Sequence, residues 1–347
     1  MTTQVSCGVK SSVASARTAP RRWLSPASAP ARPLEPDRSW IRIQRRAMAC
    51  RFEITLDGRD ARFVPAAHAA LDLVDAIEAQ LTVFRETSEL VHLNQHAATA
   101  PVPCDRSLFA LLQRCAELSA ATDDAFDITT TPLSRCWGFL RRAGRLPSAE
   151  EIAAARAVVG MRHVALAPDT ASVAFASPGV ELNLNAVGKG YALDRIAITL
   201  RDAGVRHALL SAGQSSVLAI GGRDRGWPID LVSPRRDAPF ARVWLRDAAL
   251  GTSGAGEQFV VVDGRRYGHV LDPRTGWPAE AILSATVACD SAADADALST
   301  AFLVAGPALA DRFCRAHANV LALVTPDDDS SATFVIGNQR GAEVREP

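Results

Sequence analysis

The sequence predicts an α+β fold, on three observations. Helical periodicity is concentrated in the first half of the chain. Short apolar runs broken by turn signals dominate after about residue 160, several of them paired like hairpins. Strands and helices do not alternate regularly, as a doubly wound parallel sheet would require. The 347 residues, 48% hydrophobic and 22% charged, suffice for one large domain or two small ones.

The elements follow in order. Residues 1–38 are rich in Ser, Ala, Pro and Arg without periodicity, and are expected to be a disordered tail ahead of a domain over 39–340. Ile41 to Leu56 alternates apolar and polar residues and ends at Asp57-Gly58, a hairpin-type turn signal. From Pro65 to Phe84, Leu71, Val74, Ile77 and Leu81 recur with helical spacing. A second helix is expected over 105–121. A third, over 148–159, would begin at the capping box formed by Ser148 and Glu151. Two strands flank Pro168-Asp169, and a helix from Gly190 to Ala203 stops at Gly204. The runs HALLSAG, SSVLAIGG, PIDLVS and ARVWL read as short strands. FVVVDGRRYGHVL reads as a hairpin turning at Asp263-Gly264. A strand LSATVACD, two helices and a closing strand pair complete the chain.

Composition narrows the function classes. Lys+Arg and Asp+Glu are equal at 38 each, which argues against nucleic acid as a main partner. No stretch approaches the roughly 18 apolar residues of a transmembrane helix. Seven scattered cysteines form no CxxC pair, so neither a disulfide framework nor a zinc site is indicated. Arg21-Arg22 resembles the start of a twin-arginine signal, but prolines interrupt the apolar stretch that should follow. A cytoplasmic location is expected, with export as the alternative.

Four glycine-rich or polar stretches could carry chemistry: AFDITTTPL (125–133), LNLNAVGKGYALD (182–194), GTSGAG (251–256) and GHVLDPRTGWP (268–278). Gly188-Lys189-Gly190 enters a helix whose amides would favour an anion, but the Walker A frame is absent. Lys189 is one of two lysines among 38 basic residues, and a compact ammonium suits a buried or phosphate-facing role. GTSGAG can make a phosphate-cradling nest or a plain loop. His269 could act as an acid/base or orient a phosphate, while Asp272-Pro273 is good turn chemistry in its own right. In DSAADADALSTAFLV, Asp296 and Thr300 stand at i and i+4, so one helix face carries two hard oxygens suited to Mg²⁺ or Ca²⁺. The alternative is an N-cap at Asp290 or Ser291, with acidic residues such as Asp294 answering the helix dipole.

Taken together, AFDITTTPL, NLNAVGKGYALD, GTSG, HVLDPRTG and DALST, in that order, resemble the ApbE family of Mg²⁺-dependent FAD:protein FMN transferases. The resemblance runs from about Met48 to Gly306. It implies a single T-fold-like catalytic domain with a cleft for FAD. It also implies transfer of FMN to a Thr or Ser hydroxyl of an acceptor protein, with release of AMP. By the same resemblance Asp296, Thr300 and the backbone carbonyl of Ala186 hold Mg²⁺. FAD is contacted by Met48, Phe84, Ala125, Phe126, Asp127, Asn183, Lys189 and Val270, with His269 and Lys189 the catalytic candidates. The chain departs from the family pattern at Gln214-Ser215, where Gly-Asp is usual, at Asn183, where a carboxylate is common, and at Asn185. Hydrolysis of FAD at the same site, or silent FAD binding, are the alternative outcomes.

Overall fold

The computed structural model describes residues 3–6, 39–141, 144–222, 224–232, 235, 238–255, 259–328 and 332–345. In chain order, β1 (Thr3–Ser6) is followed by a hairpin of β2 (Trp40–Ala47) and β3 (Cys50–Asp57). Helices α1 (Val64–Leu81) and α2 (Glu89–His96), strand β4 (Val102–Pro103), and helices α3 (Arg106–Ala121), α4 (Thr131–Cys136) and α5 (Ala149–Arg156) come next. Strands β5 (Val164–Ala167) and β6 (Ser172–Phe175) precede α6 (Gly188–Asp202). A run of strands follows: β7 (Ala208–Ala212), β8 (Ser216–Ile220), β9 (Trp227–Val232), β10 (Pro239–Leu245) and β11 (Ala249–Gly254). Then come the hairpin β12 (Phe259–Val262) and β13 (Arg265–Gly268), strand β14 (Ile282–Cys289) and helix α7 (Ala292–Ala316). Strands β15 (Val320–Pro326), β16 (Phe334–Asn338) and β17 (Ala342–Arg345) end the chain.

An eight-stranded antiparallel sheet, ordered β16-β15-β14-β11-β8-β7-β3-β2, organises the molecule. Its two faces are read off the strand alternation. Val217, Ala219, Leu250 and Leu323 pack toward a smaller sheet, β1-β9-β10-β17. Leu210, Leu218, Val287 and Val324 pack with side chains of α1, α6 and α7 in the main core. Covered on both sides, β14 is buried at all eight positions, which explains its unbroken apolar and small-residue sequence.

Most expected helices and hairpins appear, and the differences have local causes. The first hairpin turns at Met48 and Ala49, both at positive φ (47° and 58°), rather than at Asp57-Gly58. Asp57 instead accepts a hydrogen bond from the Arg59 amide and opens a 3₁₀ turn. GTSG is not a loop but the last four residues of β11, and its small residues allow α7 to approach. Helix α2 was not expected: only Leu90 and Leu93 are buried in it, too few to make a periodic signal. Thr3–Ser6 pairs in parallel with β9, a correction to the structureless tail; the remainder of residues 1–38, apart from 3–6, lies outside the described residues. β17, past residue 340, pairs with β10.

Asp294 also does more than answer the helix dipole. Its carboxylate accepts from Arg114 Nε at 3.0 Å and Nη2 at 2.7 Å, clamping α3 to α7. The Arg114 side chain is 45% exposed, so solvent screens the pair. Asp294→Asn is expected to cost about 1 kcal/mol, a fall of about 1–2 °C in Tm for a chain of this size. An unchanged melting curve would show the clamp to be idle.

Candidate active site

A cleft of about 260 Å³ lies between the helix-bearing side of the main sheet and a small lobe. The lobe is formed by α4, α5 and the β12–β13 hairpin, around Leu133, Trp137, Ile152, Tyr267 and Leu271. Ten of the residues expected at the site line this cleft: Ala125, Phe126, Asp127, Asn183, Ala186, Lys189, His269, Val270, Asp296 and Thr300. Two do not. Met48 is half-buried at the β2–β3 turn, packed against the main core. Phe84 stands exposed on a neighbouring cavity of about 470 Å³, which shares Leu140 with the cleft. The Thr131 hydroxyl lines that second cavity, buried and without a hydrogen-bond partner among the described residues.

The site is held by two helices that cap each other. Asp194, on α6, accepts hydrogen bonds from Ser291 Oγ (2.8 Å) and from the amides of Ala292 (2.8 Å) and Ala293 (3.0 Å), closing the N-terminus of α7. Asp296, on α7, accepts from the Gly190 amide at 2.8 Å, near the N-terminus of α6. The helices can meet so closely because Gly190 has no side chain: a Cβ there would stand 2.0 Å from the Ala292 carbonyl oxygen. Gly251 does the same for the sheet, where a Cβ would come within 2.5 Å of the Ala295 backbone. The motif glycines are therefore contact residues as well as turn residues.

Burial dominates the electrostatics. Asp296 is only 6% exposed. Desolvation pushes its carboxyl up to about 6, against the pull of the Lys189 ammonium, the Ser216 hydroxyl and the Gly190 amide. Ser216 Oγ donates to Asp296 Oδ1 at 2.7 Å, and Lys189 Nζ donates to Ser215 Oγ. Ser253 Oγ lies 2.8 Å from Ser299 Oγ and 3.2 Å from Thr300 Oγ1, so hydroxyls crowd the floor of the cleft. The Gly190 amide goes to Asp296, and no amide among the described residues donates to the Ala186 carbonyl, four residues earlier. A carboxylate, a hydroxyl and a carbonyl with spare acceptor capacity form a hard-oxygen donor set, the kind that suits Mg²⁺ or Ca²⁺. Among the described residues no group of three or more His, Cys, Asp or Glu offers a competing metal site.

The opposite wall is a braced loop. Asp127 Oδ1 accepts from the Thr129 amide (2.6 Å) and hydroxyl (2.5 Å), and Oδ2 from the Met161 amide (3.0 Å). Burial raises this carboxyl above its ordinary value, opposed by those hydrogen bonds. Asp272 makes the expected turn: its carboxylate accepts from the Arg274 amide and its carbonyl from Gly276 N. Trp137 Nε1 pins the turn through the Gly276 carbonyl at 2.9 Å. Sequence reasoning missed Asp194, Ser215, Ser216, Ser253 and Ser299 as parts of this arrangement. For Asp194 a signal existed, since it closes the same NLNAVGKGYALD motif that carries Lys189.

The fold and site together define an α+β protein whose cleft, at a helix–helix–sheet junction, is lined by the Lys189 ammonium, buried carboxylates and several hydroxyls. The ApbE family model matches residues 48–324, and the chain belongs to the ApbE family. It is 35% identical over 268 residues to a FAD:protein FMN transferase of Treponema pallidum, covering 70% of this chain and 73% of the relative. It is 29% identical over 270 residues to that of Escherichia coli K12, covering 76% and 77%. Among solved structures it resembles the ApbE protein of Thermotoga maritima, with a TM-score of 0.77, 30% identity, and 86% and 97% of the two chains covered. The apo flavinyl transferase ApbE of Pseudomonas stutzeri gives 0.75 at 28% identity, covering 86% and 95%.

Proposed function

We propose that this protein transfers the FMN half of FAD to a Thr or Ser hydroxyl of an acceptor protein, with Mg²⁺ bound in the cleft. The observation that carries this reading is the convergence of Lys189, Asp296, Thr300 and Ala186 on one cleft, in a chain of this family. The acceptor hydroxyl oxygen forms a new bond to the FMN phosphorus. The bond from that phosphorus to the bridging oxygen breaks, and AMP leaves with the oxygen. Bound metal supplies charge neutralisation at the pyrophosphate. Lys189 adds a second positive charge from α6, and in this reading His269 takes the proton of the attacking hydroxyl. Asn183 and the Ala125–Asp127 segment hold the nucleotide against the braced wall.

The test is incubation with FAD, Mg²⁺ and candidate acceptor proteins, followed by mass analysis of the acceptor and assay of AMP. Acceptor carrying FMN, with AMP in equal amount, is the expected result. AMP without modified acceptor would mean that water is the nucleophile, and intact FAD would mean a binding protein only. Lys189→Ala is expected to weaken FAD binding about ten- to hundred-fold, the loss of one charge-assisted hydrogen bond of roughly 1.5–3 kcal/mol. Flavin fluorescence titration measures it, and an unchanged affinity would remove Lys189 from the pyrophosphate.

A further inference from the structure

Ser216 opens β8 on the helix-facing side of the main sheet, in step with Leu218 and Ile220, and is fully buried. A hydroxyl on an aliphatic face is costly unless it is hydrogen-bonded. Its donor goes to Asp296 Oδ1 at 2.7 Å, while the Gly190 amide reaches Oδ2 at 2.8 Å. Across the sheet Ser216 is paired with Gly251, and the bare glycine lets the α7 backbone at Ala295–Asp296 settle onto the strands. Sheet and helix thus deliver a donor to each oxygen of one carboxylate. Rotation about the last bond of an Asp side chain is otherwise broad. Each carboxylate oxygen accepts more than one partner, so both retain capacity for a cation. The neighbouring Ser215 Oγ accepts from Lys189 and lies 3.5 Å from Ser216 Oγ, so the two hydroxyls stand between the basic and the acidic group.

We propose that Ser216 is a positioning residue for the metal-binding carboxylate: with Gly190 it fixes the plane of Asp296 so that the cation meets a preset ligand. This rests on the reading of Asp296 as a metal ligand given above. Partners that orient a metal ligand typically contribute ten- to hundred-fold to metal affinity. Binding of Mn²⁺, as a spectroscopic stand-in for Mg²⁺, is measured by electron paramagnetic resonance titration of the full chain without FAD. Ser216→Ala is expected to weaken Mn²⁺ binding about ten- to hundred-fold. Ser216→Cys keeps nearly the same volume with a much weaker donor. It is expected to lose a comparable part of the affinity while its Tm stays close to the parent's, which a purely packing role would not produce. Ser88→Ala, which removes a buried hydroxyl that caps α2 outside the cleft, is expected to bind Mn²⁺ like the parent. Parent-like Mn²⁺ affinity in Ser216→Ala and Ser216→Cys would overturn the proposal. A parent that binds no Mn²⁺ would overturn both the proposal and the metal role of Asp296. Intact Mn²⁺ binding without FMN transfer would strike only the transferase reading.

Discussion

Asp296→Asn is expected to abolish Mg²⁺-dependent AMP release while leaving the protein folded. The neutral amide is a poor partner for a hard cation. It also removes the one carboxylate set between Ser216, Gly190 and Lys189. Two opposing terms set the stability change, and without metal at neutral pH the second is the larger. Asn can keep the Gly190 bond through Oδ1 and donate from Nδ2 to the Ser216 oxygen, a reversal that costs no more than about 1 kcal/mol. Against that, the substitution relieves the desolvation that pushes the Asp296 carboxyl up to about 6. The sign with pH follows. A carboxyl whose folded pKa is raised above its ordinary 3.8 ionises first in the unfolded chain. Metal-free parent therefore loses stability relative to Asp296→Asn as pH climbs from about 4 to about 6, by up to about 3 kcal/mol, with little further change above. Adding Mg²⁺ at neutral pH should offset that loss in the parent and do nothing for the variant. AMP release and thermal melts against Mg²⁺ concentration measure both effects. Equal Mg²⁺ dependence in the two proteins would end the metal assignment.

How far the sequence reveals this site depends on whether a residue acts through chemistry or through contact. Asp296, Thr300 and Lys189 are visible because charged or hydroxyl side chains among apolar neighbours call for a reason, and a family motif supplies one. Ser216 is not visible: a serine in a short β-like run reads as a filler, and only the sheet register sets it beneath α7. Gly251 misleads for a related reason. Gly, Thr and Ser in succession favour a loop by composition, yet here they are the small residues of a buried strand that a helix must cross closely. The Met48-Ala49 turn escapes because both residues take positive φ without glycine or asparagine, so no turn signal is written in the chain. Helix ends were the easier part, since Ser148, Ser291 and Gly204 carry their reasons in their own chemistry. Phe84 shows the limit of positional inference: the chain brings it to the adjoining cavity, and Leu140 is the wall between them.

The closeness of α6 and α7 leads to the largest expected effect on stability, at Gly190. In an ordinary helix interior, alanine is favoured over glycine by about 1 kcal/mol, so intrinsic propensity alone would make Gly190→Ala stabilising. The packing reverses the sign. The new Cβ would stand 2.0 Å from the Ala292 carbonyl oxygen and 2.3 Å from its carbon, both backbone atoms that no rotamer change can move. The helices must separate by more than an ångström to reach ordinary contact. That movement strains the Asp194 cap on α7 and the Gly190–Asp296 hydrogen bond together. Ordinary overpacking costs about 1–3 kcal/mol, and loss of the cap adds about 1 more. The expected total is about 4 kcal/mol, a fall of about 6 °C in Tm. Gly188→Ala is the control, because two residues earlier on the same helix a Cβ meets nothing within 4 Å. That variant is expected to melt with the parent or slightly above it. Differential scanning calorimetry of the two variants decides the matter: Gly190→Ala melting alongside Gly188→Ala would show that α6 and α7 are not locked by this contact.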